Sequence, residues 1–547
     1  MHDAASCREW IASLSVQKHD RLSLLHGLIS ELPDSALPWQ AQLEIAELAR
    51  TAYLAAVDAQ IRALDLRAFP LGDSDRQQVL SMTGGLRAAA RVFEYLHEAQ
   101  GGDALLVADP ADPRTGQQIL AFARGLDCRA RAVIALQRCR IEVQAPDWDE
   151  LCLLAHRARS FRMSDVRVSD PMSSRGSVSC RELFIAPLLV RLAEPACLNP
   201  AEFEFSAKLA RRWAGRVGYR IGDGRGTQET CSGPTLSLSS LSSVRLVTNG
   251  LRDRMQVRLQ QLAELEVSEE ARLPGGMTVA SGSRLLNDLL HRWCEPRSVI
   301  DEPASELARL KVCFGFPSFS MLAGHSAQAL TEPGRKRGHA SAGNASWHAV
   351  AQRTYSYGQF EVDSLMRRAY RAERIDPLQN WVADGWVAQL VTSQAGRAVL
   401  VGNFCAASLV DGGLALMQLE APDSPAFQGD DANSPARRVL GRVRGFSQRV
   451  DTAAAALGAH RVMIEVWAGK PDLVGLRSTK SADFEDVLSL KSRQQDEPES
   501  LVMPRGLYRR GDEAVLREHE TDCRIRFESV IESGPDYDRV RFTRIGF

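Results

Sequence analysis

Apolar residues recur every three or four positions through roughly the first 300 residues and every second position through much of the last 200, the periods of an amphipathic helix and a half-buried strand. Leu22, Leu25, Leu28, Ile29 and Leu32 predict one helix. After Pro38, the series Leu43, Leu48, Tyr53, Leu54, Val57, Ile61 and Leu64 predicts a second, which folds back as a helical hairpin. The pattern continues over 75–98 with Val79, Leu86, Val92, Phe93 and Leu96. Gly84-Gly85 inside that run predicts a helix boundary, because two glycines weaken or kink a helix. A long helix is expected over 114–143, and Asp147, Asp149 and Glu150 supply acidic residues at the positive end of the next. Another helix is expected over about 180–194. Asn199-Pro200-Ala-Glu202 then reads as a helix start, with Asn as cap, Pro preset in the first turn and Glu at the third position. Between 215 and 245 the helical period fails, which fits a surface loop or a short β insertion. It returns at about 251–266 and again after Ser281-Gly-Ser283, and Leu310 to Phe314 reads as a short buried strand.

Residues 331–345 combine Pro, Gly, Ser and small residues without periodicity, as a linker does. Beyond them strands are expected at 381–391, 398–407, 414–419, 438–446, 461–467 and 484–490. Asp411-Gly412-Gly413 is expected to close a hairpin between two of these. The stretches from Cys523 and from Tyr537 alternate apolar with charged residues around a Ser-Gly-Pro-Asp turn and predict a final hairpin. The expected fold class is therefore α+β multidomain: a mainly α-helical N-terminal body followed by a C-terminal antiparallel β domain. The expected divisions are 1–105 helical, 106–330 mainly helical with a short β insertion, 331–345 linker and 346–547 β domain.

Composition narrows the functional classes. With 67 basic and 68 acidic side chains the formal net charge is −1, so no overall field draws the chain to a nucleic acid polymer. The 11 cysteines are scattered, several in apolar helical runs, and read as small buried hydrophobes rather than disulfides or zinc ligands. The N-terminus lacks the order of a signal peptide and no run is long enough to span a membrane, so a cytoplasmic protein is expected. No phosphate loop, zinc helix or nucleophile elbow is present. No catalytic residue, metal ligand or cofactor is nominated, and the chain is expected not to be an enzyme.

The candidate chemistry is an arginine cluster. Arg367 and Arg371 stand at R-x-x-x-R spacing, and two guanidiniums held close can take phosphate oxygens bidentately and stack on a purine. On a helix the same spacing would simply place both on one solvated face. Together with Trp381-Val-Ala-Asp384, with Val439 to Phe446 and with Arg461 to Trp467, this pattern resembles the PilZ domain, a small β-barrel that receives cyclic di-GMP. The resemblance implies a PilZ-like β-barrel at 346–547. It implies Arg367 and Arg371 as the clamp on phosphates and guanine edges, and Asp384 as acceptor of a guanine hydrogen bond. Trp386 stands where the family has Ser and Gln389 where it has Gly, and an indole there either fills the groove or stacks on a base. Two functions follow as expectations. One is a signalling or adaptor protein that receives cyclic di-GMP. The other is a scaffold that binds no nucleotide and docks proteins, of unnamed identity, on its helical body and barrel.

Overall fold

The computed structural model describes residues 3–14, 21–67, 69–101, 113–173, 175–222, 233–239, 242–265, 278–296, 298–300, 308–315, 386–394, 397–402, 404, 409–419, 438–448, 460–467, 469–479, 484–491, 499–505, 509–518 and 521–545. Two compact units divide the chain between Glu302 and Pro303. The expected linker at 331–345 lies outside the described residues.

The first unit holds ten α-helices among the described residues: α1 (Ala4–Ser13), α2 (Arg21–Glu31), α3 (Trp39–Leu64), α4 (Asp73–Ala99), α5 (Pro113–Arg138), α6 (Ala145–Ser160), α7 (Cys180–Leu192), α8 (Pro200–Trp213), α9 (Asn249–Leu265) and α10 (Val279–Cys294). Local chemistry starts several of them. Asn199 and Glu202 form the expected capping box of α8, and Ser179 with Glu182 forms another at α7. Asp147 lies in the first turn of α6 and takes both arms of Arg87 from α4, at 2.7 and 2.8 Å.

One expectation fails in α4, which runs without a break through Gly84-Gly85. A Cβ at Gly85 would lie 2.0 Å from the Tyr53 hydroxyl oxygen. That buried hydroxyl donates to the Met82 carbonyl at 3.1 Å. Gly85 is thus the gap that seats a tyrosine of α3, and tertiary packing outweighs the helix-weakening tendency of the pair. Around α5 to α10 a single apolar core gathers Trp148, Phe184 and Trp293, whose indole donates to the Leu189 carbonyl at 2.7 Å.

Among the described residues this unit also holds two small sheets. β1 (Arg167–Ser169) and β2 (Ser177–Ser179) make an antiparallel pair. The expected β insertion is a four-stranded sheet of β3 (Gly218–Gly222), β4 (Thr235–Ser237), β5 (Ser243–Val247) and β6 (Ser298–Ile300) in the order β3-β5-β4-β6.

Among its described residues the second unit holds two closed six-stranded barrels, where the sequence suggested one. The first contains β7 (Ala308–Phe314), β8 (Trp386–Gln394), β9 (Arg397–Gly402), β10 (Leu414–Leu419), β11 (Arg438–Gln448) and β12 (His460–Val466), in the cyclic order β7-β8-β9-β12-β11-β10. The second contains β13 (Lys470–Ser478), β14 (Glu485–Lys491), β15 (Ser500–Pro504), β16 (Glu513–Glu518), β17 (Thr521–Ser533) and β18 (Tyr537–Ile545), in the cyclic order β13-β14-β15-β18-β17-β16. Adding six to each strand number of the first order gives the second. Each barrel is a three-strand meander followed by three strands that run back around the other side, and all pairs are antiparallel.

Ala308–Phe314, expected upstream of the linker, is therefore a stave of the first barrel, paired with β8 and β10. Asp411 to Gly413 does turn, with Gly412 at φ 78° and the Gly413 amide donating to the Val410 carbonyl at 2.9 Å. It does not close a hairpin, because β9 pairs with β8 and β12 while β10 pairs with β7 and β11. The turn leans instead on β11, where Val443 exchanges hydrogen bonds with Gly412 and Gly413 at 2.8 Å each.

The two barrels share an apolar core in which Leu414, Leu416 and Leu440 of the first meet Leu488, Leu490 and Val502 of the second. Trp467, on the short stretch joining them, lies between. Its ring meets Tyr537 edge-on at 5.4 Å and carries the Arg539 guanidinium at 5.0 Å. A polar clasp borders this core: Arg442 of β11 reaches Glu465 at 2.7 Å and Glu532 of β17, and the Tyr537 hydroxyl donates to Glu532 at 3.0 Å.

Candidate functional site

Helices α3 and α5 bring charged side chains into the interior of the first unit. On α5, Arg124, Asp127 and Arg131 follow one another at three- and four-residue steps, so they share the stripe that also buries Ala123 and Leu126. Arg50 does the same on α3, among Ala46, Ala49 and Tyr53. Asp170 reaches the group from the residue after β1. Arg50 and Arg124 are each 1% exposed, Asp127 3% and Asp170 2%.

The groups satisfy one another closely. Arg50 donates to Asp127 at 2.7 Å and to Glu47 at 3.1 Å, and its remaining arm lies 3.4 Å from Asp170. Arg131 grips both oxygens of Asp127 at 2.9 Å. Arg124 Nε reaches both oxygens of Glu47, at 2.8 and 2.9 Å, and its Nη2 donates to the Ser169 carbonyl at 2.7 Å. Burial pushes the Asp127 carboxyl up, but Arg131 and Arg50 outweigh it and hold the group below its ordinary value. Burial opposes the charge on Arg50 as well, and Asp127 and Glu47 reverse that and raise it. Three arginines thus face three carboxylates, so the buried charge is balanced. Next to them, burial pushes the Cys128 thiol up to about 12, which leaves it protonated and unreactive at neutral pH.

Above this network opens a cleft of about 620 Å³, within the range of small-ligand sites. Arg124 and Glu47 form its polar floor, Ile119 and Leu120 one wall, and residues 166–169 the other. Gly116 lines it too, and a Cβ there would meet no atom within 4 Å. Arg167 stands at this border, its guanidinium 3.2 Å from Glu182 and 45% exposed.

Residues 5–220 match the family model described as "Cyclic-di-GMP receptor FimW, N-terminal domain". That segment is similar to the receptor's domain, spans α1 to α8, and contains the whole network and cleft. It covers less than half of the chain and ends before the barrels. No curated protein and no solved structure matches the chain.

None of the network residues was singled out from the sequence. The signal available was the intrusion of Arg and Asp into apolar helical stripes, which reads as noise until burial is known. Of the residues that were singled out, Arg367, Arg371 and Asp384 lie outside the described residues. Trp386 opens β8 opposite Val312, and Gln389 sits in the same strand opposite Arg309 and Val401. Of the stretches that carry the PilZ resemblance, Val439 to Phe446 falls on β11 and Arg461 to Val466 on β12, adjacent staves of the first barrel, so they and Trp386 belong to one closed sheet, while Trp381 to Asp384 lies outside the described residues.

Proposed function

We propose that this chain is a cytoplasmic signalling or adaptor protein, not an enzyme, whose first barrel is PilZ-like and receives cyclic di-GMP and whose helical unit engages other proteins. The observation that carries the reading is the similarity of residues 5–220 to the N-terminal domain of a cyclic-di-GMP receptor. The closed barrel and the R-x-x-x-R of Arg367 and Arg371 support it independently. In this reading the two guanidiniums take the phosphates and the Hoogsteen edge of a guanine, because a planar fork matches paired acceptors. Asp384 accepts from a guanine N–H, and the Trp386 indole stacks on a base. No covalent step is asked of any of them.

Thermal unfolding tests the proposal. A ligand held only by the folded state at a hundredfold excess over Kd stabilises by about 2.7 kcal/mol, which raises the melting midpoint by several degrees. Cyclic di-GMP is expected to do this for the native chain and not for the Arg367→Ala, Arg371→Ala double variant. An equal rise in both would remove those arginines from the site. Bulk at Trp386 and Gln389 favours a second reading, a docking scaffold without nucleotide, which predicts no rise in either.

A further inference from the structure

Strands β17 and β18 run on past the start of β16 as a hairpin. β16 begins at Glu513 opposite Arg526, and the Gly511 amide adds a last bond, to the Phe527 carbonyl at 2.9 Å. From Glu528 on, β17 pairs with β18 alone among the described residues, out to Ser533 opposite Asp538. Part of the hairpin lies on the first barrel, where Glu532 meets Arg442 and Tyr537 meets Trp467. Val530 and Ile531 instead face solvent, each 41% exposed, and a register shift leaves Ile531 out of the ladder. Val410, 39% exposed, joins them from the first barrel, on the turn whose Gly412 with a Cβ would come 3.4 Å from the Pro535 ring. Among the described residues of the second unit, these three are the exposed large apolar side chains.

Three arginines flank the aliphatic pair. The chain leaving β15 passes the hairpin tip, where the Arg505 amide donates to the Asp536 carbonyl at 3.3 Å. It returns through Arg509 and Arg510 to Gly511, beside Phe527. Arg505 thus stands at one end of the stretch 528–536 and Arg509 and Arg510 at the other, with Val530 and Ile531 between. All three arginines are exposed, and among the described residues their guanidiniums meet no carboxylate or other acceptor. The acids of the hairpin are engaged: Glu528 accepts from Thr543, Glu532 from Tyr537, and Asp536 has a partner too. Asp512 is the neighbouring carboxylate left to oppose three guanidiniums, so this end is positive as well as apolar.

We propose that this end of the second barrel docks on an anionic lipid surface. The arginines take headgroup phosphates, and Val530, Ile531 and Val410 enter the boundary below them, where both kinds of group are satisfied together. Positive charge alone would suit any polyanion, but a nucleic acid offers the aliphatic side chains nothing. A projecting hairpin also suits a surface that deforms around it. The proposal does not depend on nucleotide binding by the first barrel.

Flotation of the full chain with vesicles, in the absence of nucleotide, tests it. The chain is expected to float with mixed phosphatidylglycerol and phosphatidylethanolamine vesicles, less so as salt is raised, and not with phosphatidylcholine vesicles. The Arg505→Gln, Arg509→Gln, Arg510→Gln triple variant should partition at least tenfold more weakly. The Val530→Ser, Ile531→Ser double variant should also lose at least tenfold on the anionic vesicles while its retention on heparin is unchanged. The arginines hold no partner, so the melting midpoint of the triple variant should equal that of the native chain. If the double variant does not fold, Ile531→Ser alone decides, since that residue stands outside the ladder. No flotation of the native chain, equal flotation on neutral vesicles, or a folded variant of either kind that floats as the native chain does would overturn the proposal. Retention on heparin without flotation would make the patch a general polyanion site and overturn it equally.

Discussion

Gly84 and Gly85 are adjacent on α4 and opposite in what they tolerate. A Cβ at Gly84 meets nothing within 4 Å, whereas one at Gly85 meets the Tyr53 ring. Gly84→Ala should stabilise the chain by about 0.5–1 kcal/mol through helix propensity. Gly85→Ala should cost about 1–3 kcal/mol, because the tyrosine must leave its seat. Chemical denaturation of the two variants checks the pair, and equal effects would contradict the packing role. At Asp127 the stabilisation is electrostatic. Asp127→Asn leaves Arg50 and Arg131 short of a buried counter-charge and should cost about 3–5 kcal/mol. Its folded-state value lies below the ordinary 3.8, so its stabilisation is complete above that pH and is lost as the pH falls through the lowered folded value. The native chain should therefore lose more stability than the variant as acid is added below about pH 4, as equilibrium unfolding at stepped pH would show. None of this was visible in sequence, where a lone arginine in an apolar stripe carries no sign of which carboxylate it meets.

At the scale of elements, helices were legible wherever one face is wet. Every expected helix is present, and the Asn199 start forms as the residues dictate. Strands were legible where they alternate, as in β17, and missed where they do not. β15 is buried at four consecutive positions, Ser500 to Met503, so period two leaves no trace. β13 was missed as well, and β16 too although it alternates, with only Ala514 and Leu516 buried over six residues, and with them the second barrel. Trp467 holds the two barrels by burial rather than by its N–H, since the indole nitrogen has no hydrogen-bond partner. Trp467→Ala should cost about 3–5 kcal/mol. Trp467→Phe, which keeps most of the apolar contact and removes the unsatisfied donor, should cost less than about 1.5 kcal/mol. Denaturant titration distinguishes them, and equal losses would mean that the N–H matters.

For the molecule as a whole, the α+β class and the order of helical body then barrel were readable because the apolar period is helical through most of the first 300 residues and two-residue through much of the last 200. The division itself falls earlier than the compositional linker, because Ala308–Phe314 is recruited into the first barrel. No helix among the described residues is long and apolar enough to cross a membrane. The central functional claim is reception of cyclic di-GMP by the arginines ahead of β8, and calorimetric titration of the nucleotide into the full chain tests it most directly. The account predicts saturable heat that disappears in the Arg367→Ala, Arg371→Ala double variant. No heat from the native chain, or heat that survives loss of both guanidiniums, would contradict it.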